Sequence, residues 1–391
     1  MTNVGIDVAK EVHWVCAVDT NGVLLLNHKL LNTPADLQAL VAELRRLPTP
    51  IRVGIDILGG IASLIQAVIL EAGFELLHIP GVAVNRAREG TAGGEAKSDP
   101  RDARVIADLI RTRRDLRKVT ADSEIDIELR LLVSRRRDLT EEQTRRLARM
   151  HDLLASIFPE LEHCLDLRRK TDLCLLRSWV TPEEFRAVTD DQILAQLESG
   201  KVQAFARKLM AQVRVCAEKQ TIALPGERLT ASLIRELADE ALRNRQREVE
   251  LDRDIAARLT AHPDAALIRS LPGMGALLTA EFIAVAGPTV RFRSPDALAS
   301  AAGLAPVLKQ SGKSSWLKRP QKGDKRLKRI FYQSAFASIR CPESAAFYAR
   351  KRKEGKRHHQ IIIALARRRV NVLWAILHNR TPYVPKPLLL S

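Results

Sequence analysis

Residues 4–26 of the chain, VGIDVAKEVHWVCAVDTNGVLLL, contain three short apolar runs joined by polar residues. The first run places an apolar residue at every second position around Gly5 and Asp7, which is the period of a β-strand. The letters DTNG at residues 19–22 are a turn signal between the second and third runs. The three predicted strands are residues 4–8, 14–18 and 23–26. Together they predict a meander of three antiparallel strands.

Helices and strands are predicted to alternate after this meander. Thr33 can cap a helix in which Pro34 occupies the first turn. The predicted elements that follow are strands at 51–57 and 74–79 and helices at 64–71 and 102–111. Three meandering strands followed by alternating helices and strands are the order of an RNase H-like fold. Residues 1–115 are therefore predicted to form an α/β domain of this class.

The remainder of the chain is predicted to be mostly helical, and a length of 391 residues suggests two or three domains. Residues 116–262 are predicted to form a helical coiled-coil linker region, because apolar residues such as Leu147 and Leu154 keep heptad spacing among many charged residues. An irregular helical insertion at 158–223 interrupts this region, and its sequence indicates no task. Residues 263–391 are predicted to form a mostly α C-terminal domain.

The net charge of +17 is concentrated in one segment. Residues 309–391 contain 21 Lys or Arg and only three acidic residues, so the rest of the chain is close to neutral. Such a one-sided cationic segment is typical of proteins that bind polyanions, because each phosphate contact releases counterions. A charged surface that only aids solubility is the alternative, but solubility does not need this asymmetry. We therefore expect a nucleic acid as partner.

Composition excludes several other classes of protein. Hydrophobic residues make up 46% and charged residues 28%, which is ordinary for a chain that folds. No run approaches the roughly 18 apolar residues of a membrane span, and the first residues lack the features of a signal peptide, so a cytoplasmic protein is expected. The five cysteines are scattered without a C-x-x-C pair, and we interpret them as buried thiols.

Four carboxylates in the α/β region are candidates for a metal site. They are Asp7, Asp56, Asp99 and Asp102. Asp7 and Asp56 lie in apolar strands, where a carboxylate is costly to bury without a cation or hydrogen-bond donors. Asp99 and Asp102 are three residues apart at a predicted helix start, so both can face one ion, but ordinary helix capping explains this pair as well. The metal interpretation depends on their occurrence with Asp7 in this order of elements, where carboxylates hold Mg²⁺ against a phosphate.

Two more motifs lie in the C-terminal region. A tight turn with Gly273 and Gly275, like that of a helix-hairpin-helix module, can offer backbone N–H groups to a DNA phosphate, and an ordinary corner between helices is the alternative. Ser311 lies between Gln310 and Gly312 on a predicted loop, where surrounding cations would lower the cost of an alkoxide attacking a phosphodiester. A serine that only hydrogen-bonds a phosphate is the simpler interpretation.

Seven short motifs, in this order and spacing, resemble the insertion sequence 110 family of DEDD transposases. They are VGIDVAK at 4–10, KSDPRDA at 97–103, LPGMG at 271–275, RFRS at 291–294, AGLAP at 302–306, QSG at 310–312 and GDKRL at 323–327. The resemblance covers roughly residues 1–115 and 225–383 and is highly specific. The chain departs from the family at Asp56, where the family usually has Glu, and in its longer middle segment at 158–223.

The resemblance implies a RuvC-like nuclease domain, a helical linker and a C-terminal domain with a serine nucleophile. The implied catalytic acids and Mg²⁺ ligands are Asp7, Asp56, Asp99 and Asp102. The implied nucleophile is Ser311, which the Gln-Ser-Gly pattern selects over the nearby Ser314 and Ser315. Candidates for contact with nucleic acid are Gly273, Gly275, Lys313, Lys318, Arg319, Lys322, Lys325, Arg326, Lys328 and Arg329.

The resemblance also implies a partner set and a reaction. A structured bridge RNA would pair with double-stranded donor and target DNA, and a homotetramer in a bacterial or archaeal cytoplasm would join them through serine-linked ends and a Holliday junction. Each active site would combine the RuvC-like domain of one subunit with the serine of another. The alternatives are a metal-dependent junction nuclease without serine chemistry and a non-enzymatic basic protein that binds nucleic acid.

Overall fold

The chain divides into two units, Met1–Ser123 and Glu124–Ser391. The computed structural model describes residues 1–91, 96–196, 203–288, 292–312, 314–318 and 320–385. The first unit ends close to the predicted boundary at residue 115. The boundary predicted at residue 262 falls inside the second unit.

A six-stranded mixed sheet forms the centre of the first unit. Its strands are β1 (Thr2–Asp7), β2 (Val12–Val18), β3 (Leu24–Leu31), β4 (Ile51–Ile55), β5 (Glu75–His78) and β6 (Arg117–Lys118). They lie in the order β3-β2-β1-β4-β5-β6, with β1 antiparallel to β2 and parallel to β4. The α/β sheet predicted from the sequence is confirmed, including the meander β1–β3. An antiparallel meander continued by parallel strands is the strand order of an RNase H-like sheet.

The described part of the first unit contains four α-helices and a short 3-10 helix at Gly60–Ala62. The α-helices are α1 (Pro34–Leu44), α2 (Ser63–Glu71), α3 (Gly81–Glu89) and α4 (Asp99–Thr112). Thr33 caps α1 as predicted, since its hydroxyl accepts a hydrogen bond from the backbone N–H of Asp36. The sequence did not predict α3, because Val82 and Val84 are its only large apolar side chains and no helical period is visible.

Two long helices run antiparallel in the second unit. The helices of this unit are α5 (Glu124–Ile157), α6 (Pro159–Cys164), α7 (Lys170–Leu176), α8 (Pro182–Ala187), α9 (Asp190–Gln196), α10 (Gln203–Lys219), α11 (Glu227–Ala261), α12 (Ala265–Ser270), α13 (Ala276–Ala286), α14 (Pro295–Ala301), α15 (Lys325–Ala337), α16 (Pro342–Lys353) and α17 (His358–Asn379). Arg136 of α5 pairs with Asp252 of α11, and Arg146 pairs with Glu240. The partners' numbers fall along α11 as they rise along α5, so the two helices are antiparallel. The two segments predicted to be long helices are therefore helical and pack together.

Each end of this helix pair is buried in a different hydrophobic core. One end packs with helices of α6–α10 around the rings of Phe158 and Phe185. The other end packs with helices of α12–α17, and this core includes Leu129 of α5 and Leu259 of α11. The second core therefore contains residues from both sides of residue 262.

A two-stranded hairpin interrupts the helices of the C-terminal region. Its strands are β7 (Val307–Ser311) and β8 (Ser314–Lys318), and all their residues are exposed. The sequence predicted a loop here because a strand with no buried face has no alternating apolar pattern. Ser311 is therefore the last residue of a strand, and the prediction of a loop was wrong.

The burial of the cysteines differs in part from the prediction. All five cysteines are free thiols, but only Cys16 and Cys216 are buried, so the prediction was wrong for Cys164, Cys174 and Cys341, which are half-buried. No helix in the described part of the chain is long and apolar enough to cross a membrane.

Candidate functional site

Two of the predicted acids lie side by side at one edge of the sheet. Asp7 is the last residue of β1, and Asp56 directly follows the last residue of β4. Ile6 pairs with Ile55 in the parallel ladder between these strands. The next residue of each strand therefore emerges at the same edge, which brings the carboxylates of Asp7 and Asp56 together.

The close packing of α4 on β1 brings the other two acids to this edge. A Cβ atom on Gly5 would lie 2.1 Å from the carbonyl oxygen of Ala103 in α4, so only glycine permits this approach. Asp99 is the first residue of α4 and Asp102 lies in its first turn, with Ser98 in the N-cap position. The charges of Asp99 and Asp102 both act on Asp7. The helix start and the strand end thus form one acidic site.

The electrostatics of this site favour binding of a cation. Burial, followed by the charges of Asp56, Asp102 and Asp99, raises the pKa of Asp7 to about 7. Burial also raises the pKa of Asp56. The Oδ1 atom of Asp56 is buried and makes no hydrogen bond in the part of the chain that the structure describes. Hard carboxylate oxygens with an unsatisfied buried acceptor fit a divalent cation such as Mg²⁺.

Protein cations partly neutralise the same site. The Nη1 atom of Arg88 in α3 donates to both carboxylate oxygens of Asp102, at 2.6 and 2.8 Å, and both side chains are nearly buried. The Nη2 atom of Arg88 donates to Asn85 at 3.1 Å. Lys97 also contributes, since its charge lowers the pKa values of Asp7 and Asp56. Among the described residues, no three His, Cys, Asp or Glu side chains are grouped closely enough to hold a metal ion. Asp102 is instead held by Arg88.

Sequence reasoning missed three residues that shape this site, namely Gly5, Arg88 and Lys97. An isolated glycine inside a strand pattern, such as Gly5, indicates close backbone approach and was a usable signal. No signal identifies Arg88, because its helix is not visible in the sequence and its partner is 14 residues away. Lys97 precedes Asp99 by two residues, but the effect of its charge on Asp7 and Asp56 depends on the fold.

The hairpin β7–β8 exposes Ser311 together with cations. Opposite residues of a hairpin share a face, and alternate residues along a strand do as well. The pairs on the face of Ser311 are Ser311 with Ser314, Lys309 with Trp316 and Val307 with Lys318. The opposite face carries the pairs Leu308 with Leu317 and Gln310 with Ser315. Ser314 thus shares the face of Ser311, whereas Ser315 points to the other side.

The two glycines of the predicted phosphate-binding turn have different roles in the structure. Gly273 has a φ of +83°, and a Cβ atom there would lie 2.5 Å from the carbonyl oxygen of Ser334, so packing requires this glycine. Arg369 is buried beneath the turn and donates to the carbonyl oxygen of Pro272 and to Ser334. Gly275 is exposed at the start of α13 with open space around it. Gly275 therefore has the more open surroundings of the two glycines.

The predicted cations of the basic segment differ in their pairing. Arg326 pairs with Asp324, which caps α15, and Arg329 pairs with the buried Glu281, each at 2.8 Å. The predicted cations that have no acidic partner among the described residues are Lys318, Lys322, Lys325 and Lys328. Lys313 and Arg319 were also predicted to contact nucleic acid, and they lie outside the described residues. The unpaired lysines are the better candidates for phosphate contact, because their charge is not already neutralised.

Comparisons with known proteins agree along nearly the whole chain. Residues 4–159 match a family of DEDD transposases of IS110, and residues 265–349 match a family described as Transposase IS116/IS110/IS902. The uncharacterized 42 kDa protein of insertion element IS900 from Mycobacterium paratuberculosis is 39% identical over 97% of this chain and 96% of that protein. The uncharacterized 44.8 kDa protein of insertion element IS116 from Streptomyces clavuligerus is 37% identical over 98% of this chain and 96% of that protein.

A solved structure gives a more distant likeness. It is T. thermophilus RuvC in complex with Holliday junction substrate, with 18% identity and a TM-score of 0.24. The match covers 30% of this chain and 99% of that chain.

Proposed function

The chain belongs to the transposase family of insertion elements IS116, IS110 and IS902, and on this premise we propose that it cuts and rejoins DNA with two sets of residues. One set is the acidic site at the ends of β1 and β4. The other is the hydroxyl of Ser311 on the hairpin. The effect of burial and of the charges of Asp56, Asp102 and Asp99 on Asp7, whose pKa they raise to about 7, is the observation that supports this function most.

The acidic site is proposed to hold Mg²⁺. Asp7, Asp99 and Asp102 would be ligands of the ion. The buried Oδ1 of Asp56, which has no hydrogen-bond partner among the described residues, supports the proposal that a metal ion binds here. Asp56 is one methylene shorter than the Glu usual in the family, but its position beside Asp7 places its carboxylate at the same edge. When bound, the ion would polarise a DNA phosphate and offset the charge that develops in the reaction. Arg88 would have to release Asp102 for that carboxylate to serve as a ligand.

Ser311 is proposed as the nucleophile. Its Oγ would form a bond to phosphorus while one backbone P–O bond breaks, its proton would pass to a base, and the leaving oxygen would take up a proton. Lys309 and Lys318 share its face and can stabilise the negative charge on the phosphate. The described residues of the hairpin contain no carboxylate or histidine, so the base must come from elsewhere.

Delivery of the acidic site from another subunit would provide the missing base. The opposite face of the hairpin exposes Leu308 and Leu317, which are 58% and 68% exposed. Apolar side chains of this size on an isolated hairpin support a contact with another molecule. We therefore propose that subunits of a tetramer share each active site. The family resemblance also implies a guide RNA and a Holliday junction, and the proposal includes both.

One substitution separates this proposal from a junction nuclease and from a non-enzymatic binding protein. Ser311→Ala should abolish recombination of donor and target DNA if Ser311 is the nucleophile. It should spare cleavage by a metal-dependent nuclease and should leave nucleic-acid binding nearly unchanged in all three cases. Ser315→Ala is the matched control, because Ser315 lies on the opposite face of the hairpin.

Trapping the reaction in denaturant tests the chemistry directly. We expect DNA attached covalently to the peptide that contains Ser311, as identified by mass spectrometry. Attachment at Ser314 would move the nucleophile across the hairpin. Absence of any adduct during active turnover would exclude serine catalysis.

A further inference from the structure

A surface group of aromatic side chains lies where α15, α16 and α17 meet. Phe336 near the end of α15 is 56% exposed and does not belong to the buried face of its helix. The ring of His358, the first residue of α17, meets the ring of Phe336 edge to face with 6.1 Å between centroids. The hydroxyl of Tyr348 in α16 and Nδ1 of His358 share a hydrogen bond of 2.8 Å. Three helices thus hold an aromatic group in place at the surface.

A dense group of cations adjoins these rings in the last turn of α16 and in the connection from α16 to α17. The cations are Arg350, Lys351, Arg352, Lys353, Lys356 and Arg357. Glu354 is the only carboxylate in residues 350–357, and it pairs with Lys351 at 2.6 Å. Arg350 also lies over the ring of Phe347, with 5.4 Å to the centroid. The segment therefore presents a strongly positive surface directly beside His358.

We propose that this surface binds single-stranded nucleic acid, with an unpaired base stacked on Phe336 and the adjoining phosphates on the cations of residues 350–357. Base stacking on aromatic rings beside a cationic track is how proteins hold single strands without reading sequence. A duplex buries the faces of its bases, so it can use the cations but not the ring. A protein partner would have to cover five cations besides Lys351, which Glu354 already pairs, whereas a nucleic acid brings a phosphate for each nucleotide.

This site extends the nucleic-acid binding of the proposed function to unpaired nucleotides, and it does not depend on the chemistry of Ser311. None of its residues belongs to the acidic site or to the hairpin. A wild-type chain that binds single strands but never recombines DNA would reject the proposed function and leave this site intact.

The test measures binding of the full-length chain to three fluorescent oligonucleotides of one sequence, a single DNA strand, a single RNA strand and a DNA duplex. Phe336→Ala should weaken binding of single strands by about 5- to 150-fold, the range of stacking on one aromatic ring, and should leave duplex affinity unchanged. Phe336→Trp should keep single-strand affinity because it keeps an aromatic face. Leu229→Ala is the control, since Leu229 is 70% exposed on α11 far along the chain.

Salt dependence separates stacking from charge. Phe336→Ala should leave the slope of log affinity against log salt unchanged, whereas Lys353→Gln combined with Lys356→Gln should reduce the slope for single strands by about 0.7 for each lost contact. If Phe336→Ala weakens binding of only the DNA strand or only the RNA strand, that strand occupies the site. If it weakens binding of both strands, the site recognises the chemistry that they share. Unchanged single-strand affinity, or an equal loss with duplex, would overturn the proposal. A change in oligomeric mass alone would make Phe336 a protein contact and would overturn it as well.

Discussion

At the scale of single residues, Asp7 and Arg88 decide the state of the acidic site. Burial and the charges of three other carboxylates raise the pKa of Asp7 to about 7, so protonation relieves both the cost of burial and the repulsion when no metal is bound. Arg88 supplies a positive charge from within the protein to Asp102. A divalent cation would have to compete with a proton at Asp7 and with a guanidinium at Asp102.

The pH dependence of stability tests the environment of Asp7. Its folded pKa lies above the unfolded value of 3.8, so its contribution to stability is greatest below about pH 4 and is lost as pH rises to about 7. With a chelator present to remove metal ions, the difference in melting temperature between Asp7→Asn and the parent should therefore shift in favour of Asp7→Asn as pH rises from about 4 to about 7. Above about pH 7 this difference should stay constant. A difference that does not change with pH would place Asp7 in an ordinary solvated environment.

Substitution of Arg88 tests the competition at Asp102. Arg88→Met leaves a buried carboxylate unpaired, so we expect the metal-free chain to lose about 3–5 kcal/mol of stability. The same change should strengthen binding of Mn²⁺ or Mg²⁺ in calorimetry, because the competing cation is gone. Arg113→Met is the control, since Arg113 forms an exposed pair with Asp115 that contributes about 1 kcal/mol or less. Weaker metal binding by Arg88→Met would instead show that Arg88 positions Asp102 for the metal.

At the scale of elements, α15 shows how ion pairing selects among cations that look equivalent in the sequence. Lys325 and Arg326 are adjacent and exposed at the start of this helix. Arg326 is held by Asp324, whose pKa is lowered by hydrogen bonds and charge from Arg326 despite partial burial. Lys325 has no acidic partner among the described residues and keeps its charge for phosphate.

These neighbours form a matched pair for a binding experiment. Lys325→Gln should reduce the slope of log affinity against log salt for duplex DNA by about 0.9, the value for one lost phosphate contact. Arg326→Gln should change the slope less, because Asp324 already neutralises much of its charge. Titrations of the full chain across a range of salt concentrations measure both slopes. Equal changes would mean that the ion pair opens when DNA binds.

At the scale of the whole molecule, the family predicted from seven short motifs is confirmed, and the acids and Ser311 belong to separate units of the chain. The hairpin with Ser311 lacks a carboxylate or histidine among its described residues, and the four acids lie in the other unit. Each unit thus carries half of the proposed chemistry. A reaction that needs both halves can take them from one subunit or from two.

Mixing variants distinguishes these arrangements. Ser311→Ala and Asp102→Ala subunits should each fail to recombine DNA alone, and we expect a mixture to recover part of the activity if two subunits share each site. The recovered fraction is measured against wild-type protein at equal total concentration. A mixture as inactive as its components would require both halves to come from one subunit.

The sequence by itself determined the α/β sheet, the long helices and the chemical class of the site. Strands β1 and β2 and the cap at Thr33 could be predicted because burial selects apolar residues in a strand and a helix start imposes a particular chemistry, whereas β3 was located by the turn at residues 19–22 and extends to Leu31, beyond the predicted end at residue 26. Asp7 and Asp56 were conspicuous because carboxylates are costly among apolar residues, and Asp99 and Asp102 because of their three-residue spacing at a helix start. These signals are local, so a single chain is enough to read them.

Only the tertiary structure decided how these residues act on each other. The pairing of β1 with β4 places Asp56 beside Asp7, and the contact of Gly5 with Ala103 sets α4 against them. The ion pair of Arg88 with Asp102 depends on a helix whose sequence shows no regular apolar period. The hairpin of Ser311 has no buried face and hence no pattern. Interactions between distant residues leave no periodic trace in the chain, because their partners are chosen by packing and not by neighbours in sequence.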